Sequence, residues 1–259
     1  MISLNEIRRK AREQGVPIST VERDYAQNWL LKTQSSFPFA LKGGTGIRKV
    51  YFNNYRFSDD LDFTLLEDIA KTKLERIIQM AIDRARDESG INFREDTGLK
   101  ENVNGFVSYV YFQIMQRGNN VTSVKLDITK IDSEKILLPL GKKRIFHLYS
   151  DNLDAEIMVY ALEEIEAEKI RSLFQRTRPR DLYDVWYLWD RVDQSKVMLI
   201  LPEKFRVKGV KLDLKGLVQR KLNFKNAWET SLGYQMKNLP EFEEVFLSVV
   251  HKIENIIWD

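Results

Sequence analysis

Lys42-Gly43-Gly44-Thr45 and Arg56-Phe57-Ser58-Asp59-Asp60-Leu61-Asp62, separated by one short helix-like stretch, decide how this sequence is read. Phe37 to Lys42 is a short apolar run that stops at two glycines, the pattern of a strand ending in a tight turn. Thr45 to Phe52 reads as a short helix, residues 53–58 as a loop, and Leu61 to Leu66 as a second strand. Asp60 and Asp62 stand two apart at that strand's start, so both carboxylates point to one face. Two like charges held so close are costly unless something neutralises them. A hard divalent cation is a suitable neutraliser, and Mg²⁺ typically uses one or two carboxylates plus substrate phosphates. The glycines let backbone N–H groups approach a phosphate, and the following helix N-terminus favours the same anion. Alone, Asp-x-Asp reads as a solvated loop; with the Gly-Gly-Thr turn and Arg56-x-Ser58 before it, the metal-and-phosphate reading prevails. The spacing is not that of a P-loop.

Working outward, residues 3–14 and 19–33 pattern as two helices separated by Gly15-Val16-Pro17. Ser19 to Glu22 offers a capping box. Asp68 to Asp87 is a long amphipathic helix with Ile69, Leu74, Ile77, Ile78, Ala81 and Ile82 on one side. Three β-rich runs follow at 91–95, 106–115 and 121–130, the last two joined by a hairpin-like Gly118-Asn119-Asn120. Further strands are expected at 144–149 and 155–160. From about residue 161 the pattern turns helical: 162–176, 180–190, then helices interrupted at Leu201-Pro202 and Leu239-Pro240. Short connections between 106 and 130 forbid parallel crossovers there, so the sheet should be mixed or antiparallel. The fold expectation is α+β, with a mixed-sheet part over 1–160 and an α-helical part over 161–259.

Val124-Lys125-Leu126-Asp127-Ile128 places Lys125 and Asp127 on one face of a strand. Asp127 either completes a three-carboxylate metal site beside Leu61–Leu66 or forms an ordinary outer-face ion pair. Later, Lys169 interrupts a core-like stripe of Leu162, Ile165, Ile170 and Leu173, and Asp184 lies among Leu182, Val185, Trp186 and Leu188. A lysine so placed can reach a triphosphate as a point charge, or simply snorkel. Asp184 needs a defined partner, and Arg180–Asp184 could be a helix-stabilising pair.

Composition narrows the chemistry. The 259 residues include 41 Lys plus Arg, 38 Asp plus Glu, two His and no Cys. Cys-ligated zinc, iron–sulfur clusters, disulfides and cysteine nucleophiles are therefore excluded. His147 and His251 are too far apart for an HExxH site. No apolar run approaches the ~18 residues of a membrane span, and no apolar signal core follows Met1, so a cytoplasmic protein is expected. Residues 202–226 hold eight cations (Lys204, Arg206, Lys208, Lys211, Lys215, Arg220, Lys221 and Lys225) against Glu203 and Asp213. This block reads either as a nucleic-acid or partner surface, or as a solvated helical face.

Leu41 to Thr45, Arg56 to Asp62, Ala167-Glu168-Lys169-Ile170 and Arg180-Asp181-Leu182-Tyr183-Asp184 together resemble the AbiEii nucleotidyltransferase-like toxins of type IV toxin–antitoxin and phage-defence systems. The resemblance covers residues 37–190; the rest matches only as a helical tail. It implies a polymerase-β-type nucleotidyltransferase core that uses Mg²⁺, or Mn²⁺, and an NTP. It further implies nucleotide transfer to the 3′ end of tRNA and a cognate antitoxin. The family's important positions fall on Thr45, Asp60, Asp62, Lys169 and Asp184. Lys42, Gly43, Gly44, Arg56 and Ser58 lie in the phosphate-binding stretches. A third metal carboxylate at Asp127 belongs to the wider superfamily. The resemblance further implies that Lys169 and Asp184 of the helical part act in the same cleft as Asp60 and Asp62. Competing readings are the same core with a protein or small-molecule acceptor, a catalytically inactive RNA- or partner-binding protein, and a metal-dependent nuclease.

Overall fold

A computed structural model describes residues 1–95, 98–114 and 121–256. The chain divides into two compact units: residues 1–134 with 140–160, and residues 135–139 with 161–259. Among the described residues no helix is long and apolar enough to cross a membrane.

In the first unit, α1 (Leu4–Gln14) and α2 (Ile18–Gln34) precede β1 (Phe39–Lys42). A four-residue turn α3 (Gly43–Gly46) runs into a π-helical turn, Ile47–Tyr51. β2 (Asp60–Leu65) and α4 (Lys71–Ser89) follow. The sheet is completed by β3 (Asn92–Phe93), β4 (Lys100–Asn102), β5 (Gly105–Gln113), β6 (Thr122–Thr129), β7 (Gly141–Arg144) and β8 (Glu156–Val159). Strand order is β3-β5-β6-β2-β1-β8-β7, with β4 on β5. β1 pairs antiparallel with β2 and parallel with β8, while β2 runs parallel to β6, so the sheet is mixed as expected.

Alternation gives the sheet two unlike faces. Phe39, Leu41, Leu61, Phe63, Leu126 and Ile128 join one apolar core with Ile7, Tyr25, Leu30, Leu74 and Ile78 of the three long helices. The residues between them, Lys42, Asp60, Asp62, Lys125 and Asp127, remain partly exposed on the other face. The helix expected at 68–87 is α4, with its apolar stripe buried.

Several local expectations are corrected. The box at Ser19 is not used: α2 starts at Ile18 behind Pro17, and Ser19 already lies in its first turn. The side-chain cap is on α1, where Ser3 Oγ accepts from the Glu6 amide at 3.2 Å. The strand expected at 144–149 ends at Arg144. Beyond it His147 is held 2.8 Å from Asp151, whose other oxygen accepts from Tyr25 at 2.5 Å, so this histidine is structural. β4 was not anticipated. The turn at Gly118-Asn119-Asn120 lies outside the described residues, although β5 and β6 pair antiparallel on either side of it.

The second unit consists of α5 (Leu162–Gln175), α6 (Pro179–Leu188), α7 (Gln194–Val207), α8 (Leu214–Gln219), α9 (Lys221–Leu232) and α10 (Phe242–Glu254). Contrary to the expected interruption, α7 runs through Pro202. The missing amide bond is tolerated because Val197, Ile200, Leu201 and Phe205 are packed in the core. Fully buried Lys204 also anchors the helix. Its Nζ lies 2.7 Å from Glu164, 3.0 Å from Glu168 and 2.6 Å from the Lys135 carbonyl. Glu164 in turn accepts from the amides of Leu137 and Leu138, fixing the 135–139 strap to this unit.

The basic block at 202–226 is therefore not one free cationic face. Lys204 is interior. Arg206 pairs with Glu203, and Lys221 and Lys225 both pair with Glu243. Arg220 donates to the Leu173 carbonyl at 2.6 Å.

Glu166, fully buried on α5, lies 3.2 and 3.1 Å from the Gln194 amide, and burial pushes its pKa from 4.5 up to about 8. Between those values the folded protein keeps a proton that the unfolded chain gives up. Stability should therefore fall as pH rises from 4.5 to 8, by at most ~1.4 kcal/mol per pH unit from this group. Urea melts at pH 5.5 and 8 should show that loss, and Glu166→Gln should remove this component of it.

Candidate active site

The glycine turn is shaped by what surrounds it. Gly43 has φ +68°, a left-handed conformation that side-chain-bearing residues avoid. A Cβ there would collide with the Asp62 carboxylate. This close approach follows from the β1–β2 register, which sets Lys42 opposite Asp62. At Gly44 a Cβ would lie 2.8 Å from an Arg56 guanidinium nitrogen and 3.2 Å from Ser58 Oγ. Gly43, Gly44, Arg56, Ser58 and Asp62 thus form one small constellation at the end of β1. Lys42 adjoins it, with Nζ 5.6 Å from the Tyr160 ring centre. Thr45 is fully buried, and its hydroxyl donates to the Asp60 carbonyl. That bond ties the turn to β2 and commits the Thr45 hydroxyl proton to the protein backbone.

The π-helical turn is held from α2. Asp24 accepts from Arg48 Nε at 2.6 Å, from Lys49 at 2.7 Å and from the Tyr149 hydroxyl at 2.7 Å. Burial alone would raise the Asp24 pKa, but Arg48 and Lys49 hold it well below the usual carboxylate range. Lys49 is pushed down to about 8, chiefly by burial, with Asp24 opposing. The Arg48 guanidinium stacks 3.6 Å from the Phe57 ring centre and donates to the Tyr55 carbonyl, so the same cluster fixes the start of the Arg56–Ser58 segment. Gln27 donates to the Ser58 carbonyl at 2.9 Å, and Arg23 binds Asp59 at 2.8 Å. Sequence reasoning missed Asp24. The available signal was an acid within the buried helix surface of Val21, Tyr25 and Ala26, matched later by adjacent Arg48 and Lys49.

Asp60 and Asp62 lie together on the open sheet face. The parallel β2–β6 register places Asp60 beside Lys125 and Asp62 beside Asp127. Lys125 Nζ is 2.7 Å from Asp127. Burial would lower the Lys125 pKa, but Asp127, Asp60 and Asp62 raise it overall. Asp127 is thus ion-paired, as one sequence reading expects, and it neighbours β2, the placement that the three-carboxylate reading requires. The donor set suits a hard divalent cation completed by substrate phosphate and water. Among the described residues no three acids or histidines form a ready-made metal cage.

In the helical unit, Lys169 Nζ is pinned between Asp181 and Asp184, 2.8 Å from each. It is no snorkelling surface lysine: its side chain is 12% exposed, and that of Asp184 is 0%. Arg176 grips Asp181 through Nε at 2.8 Å and Nη2 at 3.3 Å. Burial pushes the Asp181 pKa up, yet Lys169 and Arg176 keep it well below the carboxylate range. Asp181 had no assigned role in the sequence reading. Its signal was the (i, i+3) spacing with Asp184 on α6.

Gly43→Ala should lower stability by at least ~1–2 kcal/mol from the left-handed backbone alone, with further loss from the clash at Asp62. A urea midpoint equal to that of the wild type would contradict this geometry.

The family model "Nucleotidyl transferase AbiEii toxin, Type IV TA system" matches residues 29–248. No curated protein gives a significant match. Among solved structures, the nucleotidyltransferase toxin MenT4 of Mycobacterium tuberculosis is similar at TM-score 0.72 and 20% identity, over 99% of this chain and 89% of that one. JHP933 of Helicobacter pylori is similar at TM-score 0.61 and 18% identity, over 93% of each chain. At such identities these two support the fold, which is nucleotidyltransferase-like. The family match spans most of the chain and takes in both the Gly43–Asp62 constellation and the Lys169–Asp184 cluster: the chain belongs to the AbiEii nucleotidyltransferase toxins of type IV toxin–antitoxin systems, and it is a nucleotidyltransferase whose family implies an antitoxin partner.

Proposed function

We propose that this enzyme transfers a nucleotide from an NTP to the 3′ end of an RNA, with tRNA as the acceptor, in the presence of Mg²⁺. The observation that carries this reading is the placement of two carboxylates, Asp60 and Asp62, on one open sheet face, with Asp62 directly against a glycine turn flanked by Arg56. Asp60 and Asp62 would hold the ion, which supplies Lewis-acid neutralisation of triphosphate charge. Gly43 and Gly44 offer backbone N–H groups close to bound phosphate, and Arg56 beside Gly44 adds a fixed cation. The acceptor hydroxyl oxygen forms a bond to the α-phosphorus, its proton is released, and the bond to pyrophosphate breaks. Lys125 limits repulsion among Asp60, Asp62 and Asp127 before substrate arrives. In the helical unit, Lys169 is a buried cation oriented by Asp181 and Asp184, and the family resemblance assigns it a part in the reaction. Blocking tRNA 3′ ends in the cytoplasm would arrest translation, which suits a toxin used in phage defence.

A second reading keeps the chemistry but changes the acceptor to a protein or a small hydroxylated molecule. What favours it is the engagement of much of the 202–226 basic block, which removes one source of nucleic-acid attraction.

Purified protein incubated with total tRNA, Mg²⁺ and each α-labelled NTP should label RNA from at least one nucleotide. Asp60→Ala and Asp62→Ala should each reduce labelling by at least ~100-fold. Label on protein alone would select the second reading, and shortened RNA would contradict nucleotidyl transfer.

A further inference from the structure

Two tyrosines on β5 remain unused by the chemistry above. Tyr109 and Tyr111 are 42% and 39% exposed, in a strand whose alternate residues Ser108, Val110 and Phe112 are buried. Their rings are roughly parallel, with centres 6.5 Å apart and planes at 26°. Burying an aromatic ring is strongly favourable, so two adjacent open ones need an explanation.

Register says which face they occupy. Tyr109 lies opposite Lys125 and Tyr111 opposite Ser123 in the antiparallel β5–β6 pair. Lys125 lies beside Asp60 in the parallel β2–β6 pair. Directly paired residues share a face, so both rings share the open face with Asp60 and Asp62. Two strand spacings separate the Tyr109 and Asp60 backbones, roughly 10 Å. A strand whose 3′ end reaches the carboxylates can lay a preceding base across the tyrosines. Lys125 lies between the two places, where it offsets the acids against an approaching phosphate.

We propose that Tyr109 and Tyr111 form a stacking platform for unpaired nucleobases of the acceptor strand. The inference rests on the nucleotidyl-transfer reading and adds a recognition surface to it. Stacking tolerates any base because each offers a π face, so the platform recognises single-stranded character. It also supplies affinity that does not depend on the basic block at 202–226.

The test uses the full chain and a 5′-fluorescein single-stranded RNA oligonucleotide, read by anisotropy. Replacing both tyrosines by alanine should weaken oligonucleotide binding at least ~tenfold, and replacing both by phenylalanine should leave it within about twofold. NTP binding, measured by calorimetry with Mg²⁺, should be unchanged in both variants. Because the rings are exposed, the circular dichroism of each variant should match the wild type. Wild-type affinity in the double alanine variant, or no binding by the wild type, would overturn the proposal. An equal loss of NTP binding would overturn it too, assigning the platform to the donor base. Tyrosine-dependent oligonucleotide binding without nucleotide incorporation by the wild type would sink the RNA-acceptor reading and leave the tyrosines as a surface that binds single-stranded RNA. Incorporation that ignores both tyrosines would do the reverse.

Discussion

The contact between Asp62 and Gly43 is the constraint around which the first unit is arranged. A carboxylate can lie against the glycine turn because Gly43 has no Cβ and adopts positive φ, and because antiparallel pairing puts Lys42 opposite Asp62. Strand alternation then sends Asp60 to the same face while Leu61 and Phe63 enter the core. The two carboxylates are thus presented by a rigid strand, with the Thr45 hydroxyl bonded to the Asp60 carbonyl behind them. Backbone geometry and hydrophobic burial together hold repelling charges in place, which suits a site whose neutralising charge arrives with substrate.

Buried ion clusters fix element crossings within each unit. Asp24 with Arg48 and Lys49 fastens the π-helical turn; Lys169 with Asp181 and Asp184 joins α5 to α6; Lys204 with Glu164 and Glu168 joins α5 to α7. Desolvation makes such pairs poor sources of net stability, whereas removal of one partner is expensive. Their value here is geometric: each fixes a backbone crossing that apolar packing alone would leave freer to slide. Irregular helical turns such as Ile47–Tyr51 recur at functional sites, and this one adjoins the glycine turn.

The mixed sheet, the β1–turn–β2 arrangement and the shared face of Asp60 and Asp62 were legible because they depend on local signals: glycine placement and period-two alternation. The helices carrying Lys169 and Asp184 were legible from a different local signal, the helical spacing of their apolar residues. What stayed hidden depends on partners distant in sequence. Lys204 reads as one cation of a basic run, yet Glu164 and the Lys135 carbonyl draw it inside. Asp24 reads as an ordinary helical acid until Arg48 folds against it. Pro202 reads as a break, but packing of α7 overrides it. Ser19 offers a capping pattern that Pro17 pre-empts by starting the helix earlier. The tyrosine platform needs the β5–β6 and β2–β6 registers together, which no single segment encodes.

Binding of Mn²⁺ followed by electron paramagnetic resonance, with and without a non-hydrolysable NTP analogue, tests the central claim most directly. If Asp60 and Asp62 form a metal site completed by triphosphate, Mn²⁺ should bind far more tightly with the analogue present, and Asp62→Asn should abolish that gain while leaving the fold intact. Equal Mn²⁺ binding by wild type and Asp62→Asn would contradict the account.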